Sequence, residues 1–462
     1  MQTGVETERQ GTLGGERPNV LWILCDQMRA QATSIYGDSN VSTPEIDRLA
    51  KEGVRFVGAV SGTPWCTPFR GALLTGQYPH QSGVLGNYYP LPAEAKTIAH
   101  QFRDHGYRTC WIGKWHLAGR GTDAAELPPE LRRDSRRFVP PERRGGFEHW
   151  FAYENNNKPY DCWVHTHESA SGEAYRLSGY ETDSLTDLAI DWIEKQTRGQ
   201  DGNEKPFFAA LSVQPPHSPY DLPPGAQGAR TPDSIRFRPN VPGVDWVREQ
   251  AARELVGYYA AIERLDWNVG RIRRALERLG IDKKTYIVFF SDHGDMHGSH
   301  GQFRKSCPWE EAVRIPFIIG GPPDMSGAAS IADDPLNHVD IAPTTLGLCG
   351  IPKPNWMVGS DYSGNATGVK PATPPPDSAY LSLVVPSGVR DGLDRPFRGI
   401  VTRDGWKYVA LERQPWLLFR LTDDPYEQVN LAHVRRYHPF REPLHRRLAQ
   451  WIEETGDRFA LE

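Results

Sequence analysis

The sequence predicts an α/β protein: an open, mostly parallel sheet flanked by helices, with a small antiparallel sheet and one helix at the C-terminal end. Three observations carry this. Continuous apolar runs of strand length recur along the chain, amphipathic helical patterns separate them, and beyond residue 370 the pattern changes to short strand-like pieces.

Residues 1–17 are polar and contain glycine, without the apolar core of a secretory signal. They read as a disordered lead-in, and the chain is expected in the cytoplasm. The first strand is "NVLWILCDQ", apolar throughout until Asp26 and Gln27, as a strand buried on both faces of a parallel sheet should be. "TPEIDRLAKEG" follows as a helix, with Thr43 as N-cap, Pro44 at its first position and Gly53 as its stop. "YETDSLTDLAIDWIEKQ" sets Leu185, Leu188, Ala189, Trp192 and Ile193 on one helical face. "KPFFAALSVQPPH" is a second buried strand, ending near His217. A long helix from Ala252 carries Leu255, Tyr259, Ile262, Leu265, Val269, Ile272 and Leu276, and "TYIVFFSDHGD" is a third buried strand, ending at Asp292 and His293. Pro352–Pro376, rich in proline, glycine and small polar residues, reads as a linker or long surface loop. The division expected is a catalytic domain over 18–370 and a small α+β subdomain over 371–462.

Composition narrows the function. The 462 residues hold 53 basic and 58 acidic side chains, a net charge of −5 without a basic tract, so neither nucleic acid nor an anionic membrane is an expected partner. No apolar run approaches the ~20 residues of a membrane span. The 6 cysteines are scattered, as buried free thiols rather than a disulfide scaffold. Cys66 differs, because "SGTPWCTPFRG" places it among turn formers.

Three strand ends carry polar residues: Asp26 with Gln27, His217, and Asp292 with His293. Singly, an Asp after a strand is a turn former and a lone His is structural. Jointly, oxygen and nitrogen donors at strand ends of an open sheet, where ligands bind, make a cradle for a divalent metal. In "CWIGKWHLAGR", strand alternation would place Lys114 and His116 on one face, able to meet one anion together. "SDHGDMHGSHGQFRKSCPWEE" adds histidines and Lys305 in a glycine-containing loop.

These residues resemble the type I sulfatases of the alkaline-phosphatase-like superfamily. Cys66, Pro68 and Arg70 followed by "LLTG" match the signature Cys-x-Pro-x-Arg, and Gly113 to Leu117 reproduce a second signature, Gly-Lys-Trp-His-Leu. "PPHSPY", "SDHGD", "HVDIAPT" and "LTDDPYEQVNL" fall in the family's order, so the resemblance spans about Pro18 to Glu454. It implies that a separate maturation enzyme oxidises Cys66 to Cα-formylglycine, whose hydrate attacks a sulfate ester. It implies a metal held by Asp26, Gln27, the modified Cys66, Asp292 and His293, with calcium first and manganese, magnesium or zinc as alternatives. Arg70 would then orient the formylglycine, Lys114 hold sulfate oxygens, and His116 assist elimination. His217 and Lys305 would serve the leaving group, and Asp292 would activate the nucleophile.

The expected function is hydrolysis of an organic sulfate monoester, a carbohydrate sulfate ahead of an aryl sulfate. The tryptophan- and tyrosine-containing segment "EHWFAYENNNKPYDCW" at Glu148 to Trp163 is a candidate stacking surface for sugar rings, and core or surface insertion is its plainer reading. Gln27 and His293 stand where many family members have Asp and Asn. The same pairing occurs in phosphonate monoester hydrolases and phosphodiesterases, which are the alternative. A non-catalytic binder of sulfated glycans is the third reading, and the filled chemistry-bearing positions count against it. The sequence sets no oligomeric state.

Overall fold

In the computed structural model, which describes residues 17–119, 135–169, 173–198, 205–322, 330–369, 373–388 and 395–461, the run Asn19–Asp26 forms strand β1 with every residue buried. Its alternate side chains feed two cores: Val20, Trp22 and Leu24 enter one, and Leu21, Ile23 and Cys25 the other. A strand covered on both faces has no solvated side on which to show alternation, so it reads as a continuous apolar run.

Nine more strands join β1: β2 (Val54–Phe56), β3 (Arg108–Lys114), β4 (His149–Tyr153), β5 (Trp163–Thr166), β6 (Tyr175–Arg176), β7 (Phe207–Pro216), β8 (Thr285–Ser291), β9 (Phe317–Gly320) and β10 (Ser330–Ala332). Their order is β10-β2-β9-β8-β1-β7-β3-β4-β5-β6 in a 10-stranded sheet. The central block β8-β1-β7-β3-β4 is parallel throughout, while β9, β5 and β6 pair antiparallel at its flanks. The carboxyl ends of β1, β3, β7 and β8 therefore share one edge, where an open sheet binds ligands.

The helices that matter here are α1 (Pro44–Glu52), α2 (Cys66–Thr75), α3 (Glu181–Thr197), α4 (Asp245–Leu279), α5 (Ile341–Leu348) and α6 (His438–Thr455). Thr43 precedes α1 but makes no side-chain cap; Asp266 on α4 accepts from the Ile46 N–H at 2.8 Å instead. On α3, Leu185, Ala189, Trp192 and Ile193 are buried as the periodicity requires. Helix α4 begins at Asp245, before the expected Ala252, because Val247 and Ala251 extend its buried stripe.

The C-terminal strands β11 (Ser378–Leu383), β12 (Phe397–Thr402), β13 (Trp406–Leu411) and β14 (Gln414–Arg420) form an antiparallel meander in chain order. One face packs against α6 through Tyr380, Ile400, Tyr408, Leu444 and Leu448. The other packs Leu381, Leu383, Val409 and Phe419 against Trp65, Met296 and Trp309 of the large sheet's loops. Buried Lys407 on β13 pairs with Glu310, at 2.6 Å, and with Glu427, at 2.7 Å. The small sheet is thus fastened beside Trp65, the residue before Cys66.

The proline- and glycine-rich stretch is not a free linker. Met357, Tyr362 and Ala366 are buried in the main core, and the Val358 N–H donates to the Gly76 carbonyl at 2.9 Å. The expected lead-in lies outside the described residues except for Arg17. No helix among the described residues is long and apolar enough to cross a membrane.

Candidate active site

Cys66 does not lie in a turn, as its neighbours suggested; it is the first residue of α2 and is buried. The Asn87 side chain accepts from the Thr67 N–H at 3.1 Å and so satisfies one of the free donors at this helix start. Arg70 stands one turn further on the same helix, so Cys66 and Arg70 face the strand ends together.

The thiol meets groups from three other segments. Cys66 Sγ lies 3.1 Å from His293 Nε2, 3.3 Å from Lys305 Nζ and 3.6 Å from Asp26 Oδ1. Lys114, the last residue of β3, places Nζ 2.7 Å from Asp26 Oδ2. Arg70 Nη2 lies 3.4 Å from Asp26 Oδ2 and 3.5 Å from Asp292 Oδ2. Its Nη1 donates to the Lys114 carbonyl and to Ser212 Oγ, both at 2.9 Å, which pins the guanidinium to β3 and β7. Gly113 lets those strands close: a Cβ there would lie 2.1 Å from the Ser212 carbonyl oxygen.

His116 departs from the strand argument. Strand β3 ends at Lys114, and His116 has φ +56°, so the two side chains do not share a strand face. The His116 N–H donates to the Glu154 carbonyl at 2.7 Å, which turns the chain over the site. Burial, with the charges of Lys114 and Arg70, holds His116 well below the usual imidazole range. His217 follows β7 and places Nδ1 2.7 Å from the Ser218 carbonyl. Burial and the Lys305 ammonium hold it well below the usual range too. Both rings are therefore neutral at pH 7.

The acids respond differently to one environment. Burial alone would raise Asp26, yet the charges of Lys114 and Lys305 hold it well below the carboxylate range. Burial and the charge of Asp26 push Asp292 up to about 6, against His293 and Arg70. His293 is pushed down to about 4 by burial, opposed by Asp292.

Asp26, Cys66, Asp292 and His293 are all buried, and each offers a ligand atom within 4.8 Å of the others. Asp292 Oδ2 is buried without a hydrogen-bond partner. Two crowded carboxylates, one with an oxygen that makes no hydrogen bond and lies 3.5 Å from the Arg70 guanidinium, and a neutral imidazole fit a divalent cation, which would relieve the repulsion that raises Asp292. Gln27 sits beside them with φ +70°; its N–H donates to Asp292 Oδ1 at 3.0 Å and its Oε1 accepts from Lys305 Nζ at 2.6 Å.

The structure thus gathers Asp26, Gln27, Cys66, Arg70, Lys114, Asp292, His293 and Lys305 through direct contacts, and sets His116 and His217 within range of their charges. The sequence did not single out Ser212, Asn87, Tyr220 or Asp295. Asp295, the second Asp of "SDHGD", and Tyr220, the last residue of "PPHSPY", lay in stretches that follow the family's order, whereas Ser212 and Asn87 carried no signal. Within Glu148 to Trp163, Trp150, Tyr153 and Cys162 are core, while Phe151 and Trp163 are half-buried and Tyr160 is exposed.

Residues 18–351 match the family model described as Sulfatase, and residues 298–454 match the one described as N-sulphoglucosamine sulphohydrolase, C-terminal. An ulvan-active sulfatase of Formosa agariphila is 33% identical over 450 residues, covering 96% of this chain and 82% of that protein. A solved structure from work on glycosaminoglycan metabolism by Bacteroides thetaiotaomicron superposes with a TM-score of 0.83 at 27% identity, covering 96% of this chain and 97% of the other. The phosphonate monoester hydrolase of Agrobacterium radiobacter shares the fold, with a TM-score of 0.75 at 23% identity over 95% of this chain and 96% of the other.

Proposed function

Because the chain belongs to the sulfatase family and is a sulfuric-ester hydrolase, we propose that it cleaves a sulfate monoester of a carbohydrate, with Cys66 matured to formylglycine and a divalent cation bound beside it. The carrying observation is the thiol itself. It is buried, opens a helix, and stands within 3.6 Å of an acid, an imidazole and an ammonium, a setting with no structural need for cysteine.

Asp26, Asp292, His293 and Gln27 would hold the cation together with residue 66, calcium being the first choice. When bound, it would polarise a sulfate oxygen and favour ionisation of the nucleophile. One hydroxyl of the residue 66 hydrate gives its proton to Asp292 and attacks sulfur, the S–O bond to the sugar breaks, and the sugar oxygen takes a proton from the Lys305 ammonium, beside neutral His217. Lys114 and Arg70 surround the sulfate oxygens and residue 66 with fixed positive charge. Neutral His116 then accepts the proton of the second hydroxyl, the C=O bond re-forms and sulfate leaves. Water rehydrates the aldehyde. A thiol would offer no such exit, since an S-sulfonated cysteine has no second hydroxyl with which to expel sulfate.

The carbohydrate reading rests on the ulvan-active relative and the glycosaminoglycan-related structure. Its test is sulfate release from a panel of sulfated mono- and oligosaccharides, run beside an aryl sulfate and an aryl phosphonate monoester. In parallel, the Cys66 peptide of active enzyme is weighed and is expected ~18 Da lighter than the encoded thiol. An unmodified thiol in active enzyme would refute the mechanism. A strong preference for the phosphonate ester would refute the substrate class.

A further inference from the structure

Behind Gln27 lies a buried network that the reaction above leaves unused. Its centre is Asp295, fully buried, with both oxygens engaged. Oδ1 accepts from the backbone N–H groups of His297 and Arg304, each at 3.0 Å. Oδ2 accepts from the Tyr220 hydroxyl at 2.7 Å and from Gln27 Nε2 at 2.5 Å. Gln27 Nε2 also reaches the Tyr220 oxygen at 3.1 Å.

The two ends of a glutamine amide are alike in shape and opposite in polarity, so only the partners decide which end faces where. An ionised carboxylate accepts and cannot donate. Asp295 therefore forces the Gln27 nitrogen inward, and Oε1 is left facing Lys305 Nζ at 2.6 Å, beside the thiol. The backbone of Gln27 is held as firmly: its N–H donates to Asp292 and its carbonyl accepts from the Tyr258 hydroxyl at 3.0 Å. With φ fixed at +70° and one side-chain end anchored, the amide has no second way to satisfy its surroundings.

We propose that Asp295 is a positioning residue of this active site: by accepting from Gln27 Nε2 it turns the Gln27 oxygen toward the donor cluster, so that the end of β1 presents an oxygen to the cation and to Lys305. The inference rests on the reading of Gln27 as a cation donor. Asp295 touches neither the thiol nor the carboxylates: Oδ2 acts through the Gln27 amide, while Oδ1 holds the Arg304 N–H, an acceptor that Asp295→Asn keeps. In Asp295→Asn, the new –NH2 can rotate to donate to Gln27 Oε1, which turns the Gln27 –NH2 toward Lys305, a donor facing a donor.

The test is calorimetric titration of calcium into the full-length matured protein after chelation, with the thermal unfolding midpoint of each variant as the check on folding. Asp295→Asn should bind calcium about 10–100-fold more weakly, the usual effect of losing a hydrogen-bond partner behind a metal ligand. In a Gln27→Ala background the same substitution should add less than about twofold, since a residue acting through one partner is silent without it. Gln27→Glu combined with Asp295→Asn moves the carboxylate across the pair and again offers an oxygen on both sides; it should bind within about threefold of the parent, a rescue no general loss of packing would give. Calcium binding unchanged in Asp295→Asn but weakened in Gln27→Ala overturns the proposal, as does failure of the double substitution to rescue. Should Asp295→Asn not fold, the double substitution decides alone. Unchanged binding in Gln27→Ala instead sinks the reading of Gln27 on which the proposal stands.

Discussion

Replacing Lys114 by Met keeps the length and apolar stem of the side chain and removes the ammonium 2.7 Å from Asp26 Oδ2. The two side chains are 1% and 0% exposed, so water cannot replace the lost partner. Two routes give the size of the effect. Breaking a buried ion pair by deleting one member costs about 3–5 kcal/mol. The escape is for Asp26 to take up a proton, and at pH 7 a carboxyl of ordinary pKa near 3.9 does so at about 1.36 kcal/mol per pH unit over about 3 units, or ~4 kcal/mol. Burial eases that protonation and Arg70, 3.4 Å away, resists it. A loss of about 4 kcal/mol at pH 7 is therefore expected in chelator, with kcat on a sulfate ester lower by about 10²–10³-fold. The sign with pH follows from the direction of the shift. The folded pKa of Asp26 in the parent is depressed, so its contribution there persists above the unfolded value and is lost only below it, whereas in the variant the protonation that costs ~4 kcal/mol at pH 7 costs almost nothing near pH 4. Urea unfolding of parent and variant, followed by tryptophan fluorescence in chelator at pH 7 and pH 4, should show a gap that narrows at pH 4. Coincident transitions at both values would refute the claim that Lys114 neutralises a buried Asp26.

Removing divalent cations should lower activity and the thermal midpoint together, because Asp26 and Asp292 are left to repel one another; calcium at about 100 times its Kd should return about 2.7 kcal/mol, read as a midpoint shift. An acid step should also arise from a histidine packed behind the helix of Cys66. His338 is buried, its Nδ1 accepts from the Gly62 N–H at 2.8 Å, and burial pushes its pKa from 6.5 down to about 3. The unfolded imidazole therefore binds its proton first, and stability should fall as pH drops from about 6.5 toward 3. Midpoints measured across that range should fall less steeply in His338→Asn, and an unchanged slope would remove His338 as the cause.

The sequence disclosed most where burial was most complete. Strands β1, β7 and β8 are buried along their whole length, and their polar ends stood out jointly, since turn forming explains one such residue but not donors at three strand ends. Cys66 and Arg70 were legible as a pair through the Cys-x-Pro-x-Arg signature, though not the helix that carries them, and the second signature fixed the neighbourhood of Lys114 and His116. The rest depends on contacts that spacing cannot encode. Arg70 finds Ser212 across the sheet, and Gln27 finds Asp295 and Tyr220 from loops that follow different strands. The proline-rich stretch misled for a related reason: composition gave its local stiffness, while Met357 and Tyr362 decided that it packs on the core.

His116 failed on different grounds, and that failure connects to the others. Period-two reasoning assumes an extended backbone, and His116 leaves it for φ +56°. The same left-handed region holds Gln27, at +70°, and Arg304 and Ser306, at +71° and +68°, on either side of Lys305. Residues with side chains enter this region at a cost of about 1–3 kcal/mol each and stay only where the surroundings over-determine them. Here they do: the Gln27 backbone is held at both ends, the Arg304 N–H is bound by Asp295, and the Ser306 N–H donates to the Pro64 carbonyl at 3.1 Å. Local preference at these positions opposes the native conformation, so a reading built on local preference must miss them. The network that imposes the conformation is also what aims Gln27 and Lys305 at residue 66, which makes strain and placement at this rim two consequences of one set of buried hydrogen bonds.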